Sequence, residues 1–201
     1  VIIDNSFAYA DDVSVLGMTI PGLQKLLDVC YEYSSKWRFK FGAAKSKCMI
    51  FGNNKFKSEP SWNLGTQSLE NVDSLEILGN IFTWNGSAHS SVDKRISAGN
   101  RSMYGLREAG FSYPGLSSDV KVHMWQSVGQ PAMTYGIECL NLNKKDISKL
   151  ESAQASTVKR ALGIPKRSHH SNILKAVNCK TIDMLIKQNV ISLWNRTFGV
   201  D

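Results

Sequence analysis

Long apolar runs are missing from these 201 residues: none approaches the roughly 18 uninterrupted positions that a membrane helix requires. No membrane partner is expected. Cysteine is scarce. Its four copies (Cys30, Cys48, Cys139 and Cys179) form no Cys-x-x-Cys pair and have no histidine at zinc-ligand spacing. That argues against a zinc site, and for buried reduced thiols in a nuclear or cytoplasmic protein that is not secreted. The opening Val1-Ile2-Ile3-Asp4-Asn5 lacks the basic start and apolar stretch of a signal peptide, and the chain reads as a piece of something longer. With 42% hydrophobic and 20% charged residues, wholesale disorder is excluded too.

Acidic residues are thin in one place. Residues 143–201 hold 11 Lys and Arg against four Asp and Glu, whereas residues 1–142 hold 13 of each. The whole formal charge of +7 therefore sits in the last third. Such a block attracts phosphate backbones and other polyanions. A solvated, Lys-rich helical surface would read the same way.

The hydropathy pattern gives an α+β fold class. Two short apolar runs, 1–10 and 13–17, flank Asp11-Asp12 and read as a β-hairpin with the acids at its tip. Pro21-Gly22 opens a helix whose Leu23, Leu26, Leu27, Cys30, Tyr31, Ser34 and Trp37 form one core stripe. Residues 39–51 return to strand character, 52–68 read as a loop, and 75–84 read as a second strand region. From about residue 90 the period is helical. Val92, Ile96, Met103 and Leu106 mark one helix, and Val120, Met124 and Val128 mark a second that ends near Pro131. Ile147, Leu150, Val158 and Leu162 mark a third, stopped by Gly163 and Pro165, and Thr181 caps a fourth. His169-His170 reads as part of a polar loop. The expected division is 1–86, mixed, and 87–201, helical and basic.

Two neighbouring carboxylates on a hairpin tip repel one another, and a divalent cation relieves that repulsion. Mg²⁺ prefers hard oxygen ligands and keeps several waters, so one or two carboxylates plus substrate phosphates suffice to hold it. The bland alternative is an ordinary Asp-Asp turn that binds nothing.

The surrounding residues bear on that choice. Phe7-Ala8-Tyr9-Ala10-Asp11-Asp12-Val13-Ser14-Val15-Leu16 resembles the Tyr-x-Asp-Asp box of reverse transcriptases, in the form found in non-LTR (LINE-type) retrotransposons. Similar segments follow in the family's order. Gly22-Leu23-Gln24-Lys25-Leu26-Leu27 resembles the helix after the box. Lys45-Ser46-Lys47-Cys48-Met49 resembles the next motif, and Leu78-Gly79 the turn of the primer-grip hairpin. Tyr135-Gly136-Ile137-Glu138, Leu150-Glu151 with Gln154, and Lys159-Arg160-Ala161-Leu162-Gly163-Ile164-Pro165 resemble the thumb and the region just beyond it. The resemblance implies the C-terminal part of a polymerase palm followed by a helical thumb.

By that resemblance Asp11 is the principal metal-binding carboxylate and Asp12 its supporting neighbour, with Mg²⁺ or Mn²⁺ as cofactor. Tyr9, two positions before Asp11 and on the same face, would lie near the primer–template, or else be a half-buried strand tyrosine. Lys45 resembles the family's lysine near the departing pyrophosphate, where a cation offsets developing charge; Gly42 stands where the family places Asn. Alternatively Lys45 is an ordinary exposed lysine. Leu78 and Gly79 would approach the primer, and Lys159, Arg160, Lys166 and Arg167 the phosphates of the duplex. The implied partners are an RNA template, a DNA primer, deoxynucleoside triphosphates and the missing upstream palm and fingers segment. That segment would carry a further aspartate, because Asp4 lies roughly 23 Å from Asp11 along an extended strand. Activity of the 201 residues alone is not expected. The alternative function is a non-catalytic nucleic-acid-binding remnant of such an element.

Overall fold

The computed structural model describes residues 5–52, 60–111, 113 and 115–199. The fold mixes helices with small sheets and divides into two compact units. One takes the chain up to Leu75 together with Thr83–Asn85; the other takes Glu76–Phe82 and the chain from Gly86 onward. The tip of the second hairpin thus belongs with the helical unit, not with the strands that precede it in sequence.

In the first unit, β1 (Ser6–Tyr9) and β2 (Asp12–Val15) form an antiparallel ribbon joined by Ala10-Asp11. Helix α1 (Ile20–Lys36) starts where the Thr19 hydroxyl accepts the Gly22 N–H at 3.1 Å, with Pro21 in the first turn. Strands β3 (Lys47–Cys48), β4 (Trp62–Leu64) and β5 (Gln67–Asn71) make a three-stranded sheet in the order β3-β5-β4. Its parallel β3–β5 pairing sets Lys47 opposite Glu70, and the two form a 3.2 Å ion pair. Leu27, Cys48, Trp62, Leu64 and Leu69 make the core, with Val15 and Leu23 against it. The Gln24 amide clamps α1 to the edge of β4, donating to the Asn63 carbonyl and accepting the Asn63 N–H.

Several expectations for this unit need correction. The α1 stripe is only partly inward: Tyr31 and Trp37 are exposed. The Tyr31 ring instead lies over Gly65, where a Cβ would collide with it. The 52–68 loop contains β4 and the start of β5; the polar composition hid a period-2 pattern that buries Trp62, Leu64 and Leu69. Residues 53–59 of that loop, and Asp4 with the first residues of the opening apolar run, lie outside the described residues. Of 39–51, only Lys47–Cys48 is a strand. Phe39 and Phe41 pack edge-to-face at 5.1 Å, using aromatic contact in place of a ladder.

Strands β6 (Ser74–Ile77) and β7 (Asn80–Thr83) form a two-stranded sheet turning at Leu78-Gly79. In the second unit, α2 (His89–Gly105), α3 (Ser118–Met124), α4 (Gln130–Thr134), α5 (Lys144–Leu162), α6 (His170–Ala176) and α7 (Ile182–Phe198) surround a core of Val92, Trp125, Met133, Ile137, Leu150 and Ile182. Helix α2 passes very close to the α3–α4 segment: a Cβ on Gly99 would meet Met133, and one on Gly129 would meet the Met103 sulfur. Helix α5 begins with a reciprocal cap. Asn143 Oδ1 accepts the Lys145 and Asp146 N–H groups, and the Asp146 carboxylate accepts the Asn143 N–H. It ends at a left-handed Gly163, as expected.

Two helix boundaries differ from the expected ones. The second helix does not end near Pro131. It widens into a π-turn over Trp125–Gly129, and Pro131 falls in the first turn of α4, where the re-spaced π-turn accommodates its missing N–H. The histidine pair is only half a loop: His169 is extended and makes no capping bond, while His170 opens α6.

Candidate functional site

The acidic pair sits where the hairpin turns. Tyr9 and Asp12 are the last paired residues, leaving Ala10 and Asp11 as a two-residue turn. Ala10 adopts φ 53°, a left-handed conformation that costs a non-glycine residue about 1–2 kcal/mol. Both carboxylates are exposed, and among the described residues neither is engaged by an ion pair or hydrogen bond. Residues directly opposed across a ladder share a face. Tyr9 therefore shares its face with Asp12 rather than with Asp11, because strand alternation stops at Tyr9. Phe7 and Ser14 are opposed one pair further along the same face. Tyr9 is 68% exposed, so it is not a half-buried strand tyrosine.

Lys45 lies in the turn before β3, exposed, with its N–H bonded to the Gly42 carbonyl at 2.8 Å. Asp11 and Asp12 supply hard oxygen donors of the kind Mg²⁺ takes, and two such donors fit a magnesium that keeps its remaining positions for water and phosphate. Among the described residues no group of three or more His, Cys, Asp or Glu comes together to hold a metal.

The other proposed nucleic-acid contacts belong to the second unit. Leu78 and Gly79 have φ 47° and 86°, so both turn positions are left-handed and the turn is of type I′. That geometry suits Gly79 and strains the exposed Leu78. The tip is pinned from behind. Arg95 on α2, 8% exposed, donates from Nη2 to the Gly79 carbonyl at 2.6 Å. Its guanidinium lies 5.2 Å from the Tyr135 ring centroid. Asn80 donates to the Gly136 carbonyl at 3.3 Å, and Ser91 Oγ both accepts from the Ile81 N–H and donates to the Ile81 carbonyl at 2.7 Å.

The four basic residues after residue 158 do not act alike. Arg160, Lys166 and Arg167 are exposed. Lys159 is not: it is 2% exposed, and its ammonium donates to the carbonyls of Lys166 at 2.9 Å and Ser168 at 2.5 Å. The expectation that Lys159 meets phosphate directly is therefore corrected. Helical phase turns it inward beside Val158, and its charge folds the 166–168 loop back onto α5.

Sequence reasoning missed Arg95 and a cationic group around Tyr104. Both Arg107 and Arg160 place their guanidinium carbons 5.8 Å from the Tyr104 ring centroid, and Arg160 Nη1 donates to the Tyr104 hydroxyl at 3.0 Å. The Tyr104 and Arg107 spacing of i,i+3 was a legible hint. The arrival of Arg160 from α5 was not.

No family model, curated protein or solved structure matches the chain. Among the described residues, no helix is long and apolar enough to cross a membrane.

Proposed function

We propose that this chain is the metal-binding part of a reverse transcriptase palm with its thumb, as the resemblance to non-LTR retrotransposon enzymes implies. The observation that carries the reading is the Asp11-Asp12 pair on a tight two-residue hairpin turn, with both carboxylates exposed. A pair inside a helix or buried under side chains would have been incompatible with it. The strained Ala10 adds support, since left-handed non-glycine turns recur where geometry serves a site.

In this reading Asp11 and Asp12 hold Mg²⁺ or Mn²⁺, which when bound supplies electrostatic stabilisation of the attacking and leaving oxygens in nucleotidyl transfer from a deoxynucleoside triphosphate to a DNA primer on an RNA template. The chain's own contributions are positional. The β1–β2 ladder fixes the carboxylates, Tyr9 offers an exposed aromatic face beside Asp12 for a sugar or base, and Lys45 supplies a cation for phosphate. Leu78 and Gly79 present a rigid turn to the primer, and Arg160, Lys166 and Arg167 offer positive charge to the duplex backbone. A companion aspartate would come from an upstream palm and fingers segment of the same polyprotein.

The test is primer extension by the full reading frame, wild type beside Asp11→Ala. The expected result is metal-dependent extension lost in the variant. Extension that survives Asp11→Ala sinks the reading. Salt-sensitive nucleic-acid binding without extension, indifferent to both aspartates, would favour the non-catalytic remnant instead.

A further inference from the structure

Three cations of the second unit have carboxylate partners. Lys94 pairs with Glu76, Lys149 with Asp93 and Lys187 with Asp183. Arg107, Lys121 and Arg160 have no such carboxylate among the described residues, yet all three line one cavity of about 420 Å³ at the meeting of α2, α3 and α5. Tyr104 stands among them and holds Arg160 by its hydroxyl. The remaining wall is apolar and includes Phe111 and Leu162, and no described lining residue is acidic.

Three like charges around one hollow repel one another, and an anion seated between them relieves that repulsion. The negative end of α5 is muted there, because the Gly163 and Ile164 N–H groups take the carbonyls of Arg160 and Lys159. Arginine forks match an oxyanion with several acceptor oxygens, and phosphate is the form of that group that also arrives joined to a flat or apolar body. The cavity volume lies in the range of small-molecule sites.

We propose that this cavity is a nucleotide-phosphate site. Arg107, Lys121 and Arg160 take the phosphate, and the attached sugar or base lies against the Phe111 and Leu162 wall. The nucleotide is either free or the 5′ end of a strand. The site does not depend on the Asp11–Asp12 reading.

The test uses the full chain at fixed salt, with fluorescence anisotropy of a short labelled single strand carrying a 5′-phosphate or a 5′-hydroxyl. A nucleoside monophosphate and inorganic phosphate serve as competitors. The wild type should prefer the phosphorylated end, be displaced by the nucleoside monophosphate, or both; the first marks a strand end and the second a free nucleotide. Inorganic phosphate should compete more weakly than the nucleoside monophosphate. Arg107→Gln with Lys121→Gln should weaken binding at least about tenfold. Lys144→Gln with Lys145→Gln removes the same charge from the far end of α5 and should have little effect. Tyr104→Phe, which releases Arg160, should give an intermediate loss with an unchanged circular dichroism spectrum. The readout is equilibrium binding with no metal or triphosphate added, so failure of the catalytic reading would not be mistaken for failure here. Equal weakening by the two double variants, equal competition by inorganic phosphate and nucleotide, or the absence of both end preference and displacement would each overturn the proposal.

Discussion

Arg95 holds the carbonyl of Gly79. The side chain reaches from α2 to the tip of the β6–β7 hairpin, donates a 2.6 Å hydrogen bond and lies over the Tyr135 ring. The contact explains why residues 76–82 group with the helices. Arg95→Met keeps much of the packing and removes the charge and the donor, leaving the Gly79 carbonyl without this partner. The expected loss is about 2–4 kcal/mol, from a charge-assisted bond and a shielded cation–π contact. Urea unfolding followed by tryptophan fluorescence checks it; a midpoint unchanged from wild type would remove the pin from this account.

Leu78 in the same turn pulls the other way. A leucine at φ 47° is strained, and Asn adopts that conformation far more readily. Leu78→Asn should stabilise the chain by about 0.5–1 kcal/mol, because the leucine is half exposed and gives up little buried area. If the proposed primer contact is right, the same substitution lowers extension by the full-length protein even as it raises the melting temperature. That opposite movement separates a functional leucine from a merely tolerated one.

Lys159 makes a different prediction from its neighbours. Lys159→Met removes two charge-assisted bonds from carbonyls of the 166–168 loop. It should cost about 2–4 kcal/mol of stability. Arg167→Gln, at an exposed loop position, should leave stability within about 0.5 kcal/mol and reduce the salt dependence of nucleic-acid binding instead. Thermal unfolding and a salt titration on both variants check the split.

Much of the architecture was legible because local chemistry and tertiary packing agree at those places. Pro21 starts α1, Gly163 and Pro165 stop α5, and Thr181 caps α7, each by a rule that needs only neighbouring residues. The hairpin around Asp11-Asp12 was legible for the same reason. The misses needed distant partners. β4 and β5 are too polar to read as strands until Leu27 and Cys48 are known to cover Trp62 and Leu69. Pro131 stops a regular helix, yet the π-turn before it re-spaces the carbonyls and lets the helical path continue. At the candidate sites, residue type revealed which side chains carry charge, but not which way they turn. Lys159 points inward and Arg160, one residue later, outward, a difference of one helical step that charge counting does not register.

The cysteines offer a test of burial that is independent of function. Burial pushes the Cys48 thiol from 9.0 to about 11 and raises Cys30 and Cys179 as well; Cys139 is raised by burial and by the adjacent Glu138 carboxylate. All four are free, but Cys139 alone among them is exposed, so the expectation of uniformly buried thiols fails at that residue. Thiolate is the reactive form, and a raised value reduces its share at any pH below that value. At pH 8 the native chain should therefore lose one thiol to iodoacetamide, at Cys139, more slowly than an unfolded peptide would, with Cys48 unmodified; mass spectrometry of the digest reads the order. The linkage sign follows from the same shift. Between about pH 9 and pH 11 the unfolded chain releases the Cys48 proton and the folded chain keeps it, so the unfolded state binds fewer protons and stability falls as pH rises through that window. Below pH 9 this thiol contributes no slope. Cys48→Ala should flatten the alkaline limb of a stability–pH profile, and an alkaline limb as steep as that of wild type would mean that the Cys48 thiol is not shielded under Leu27 and Leu69.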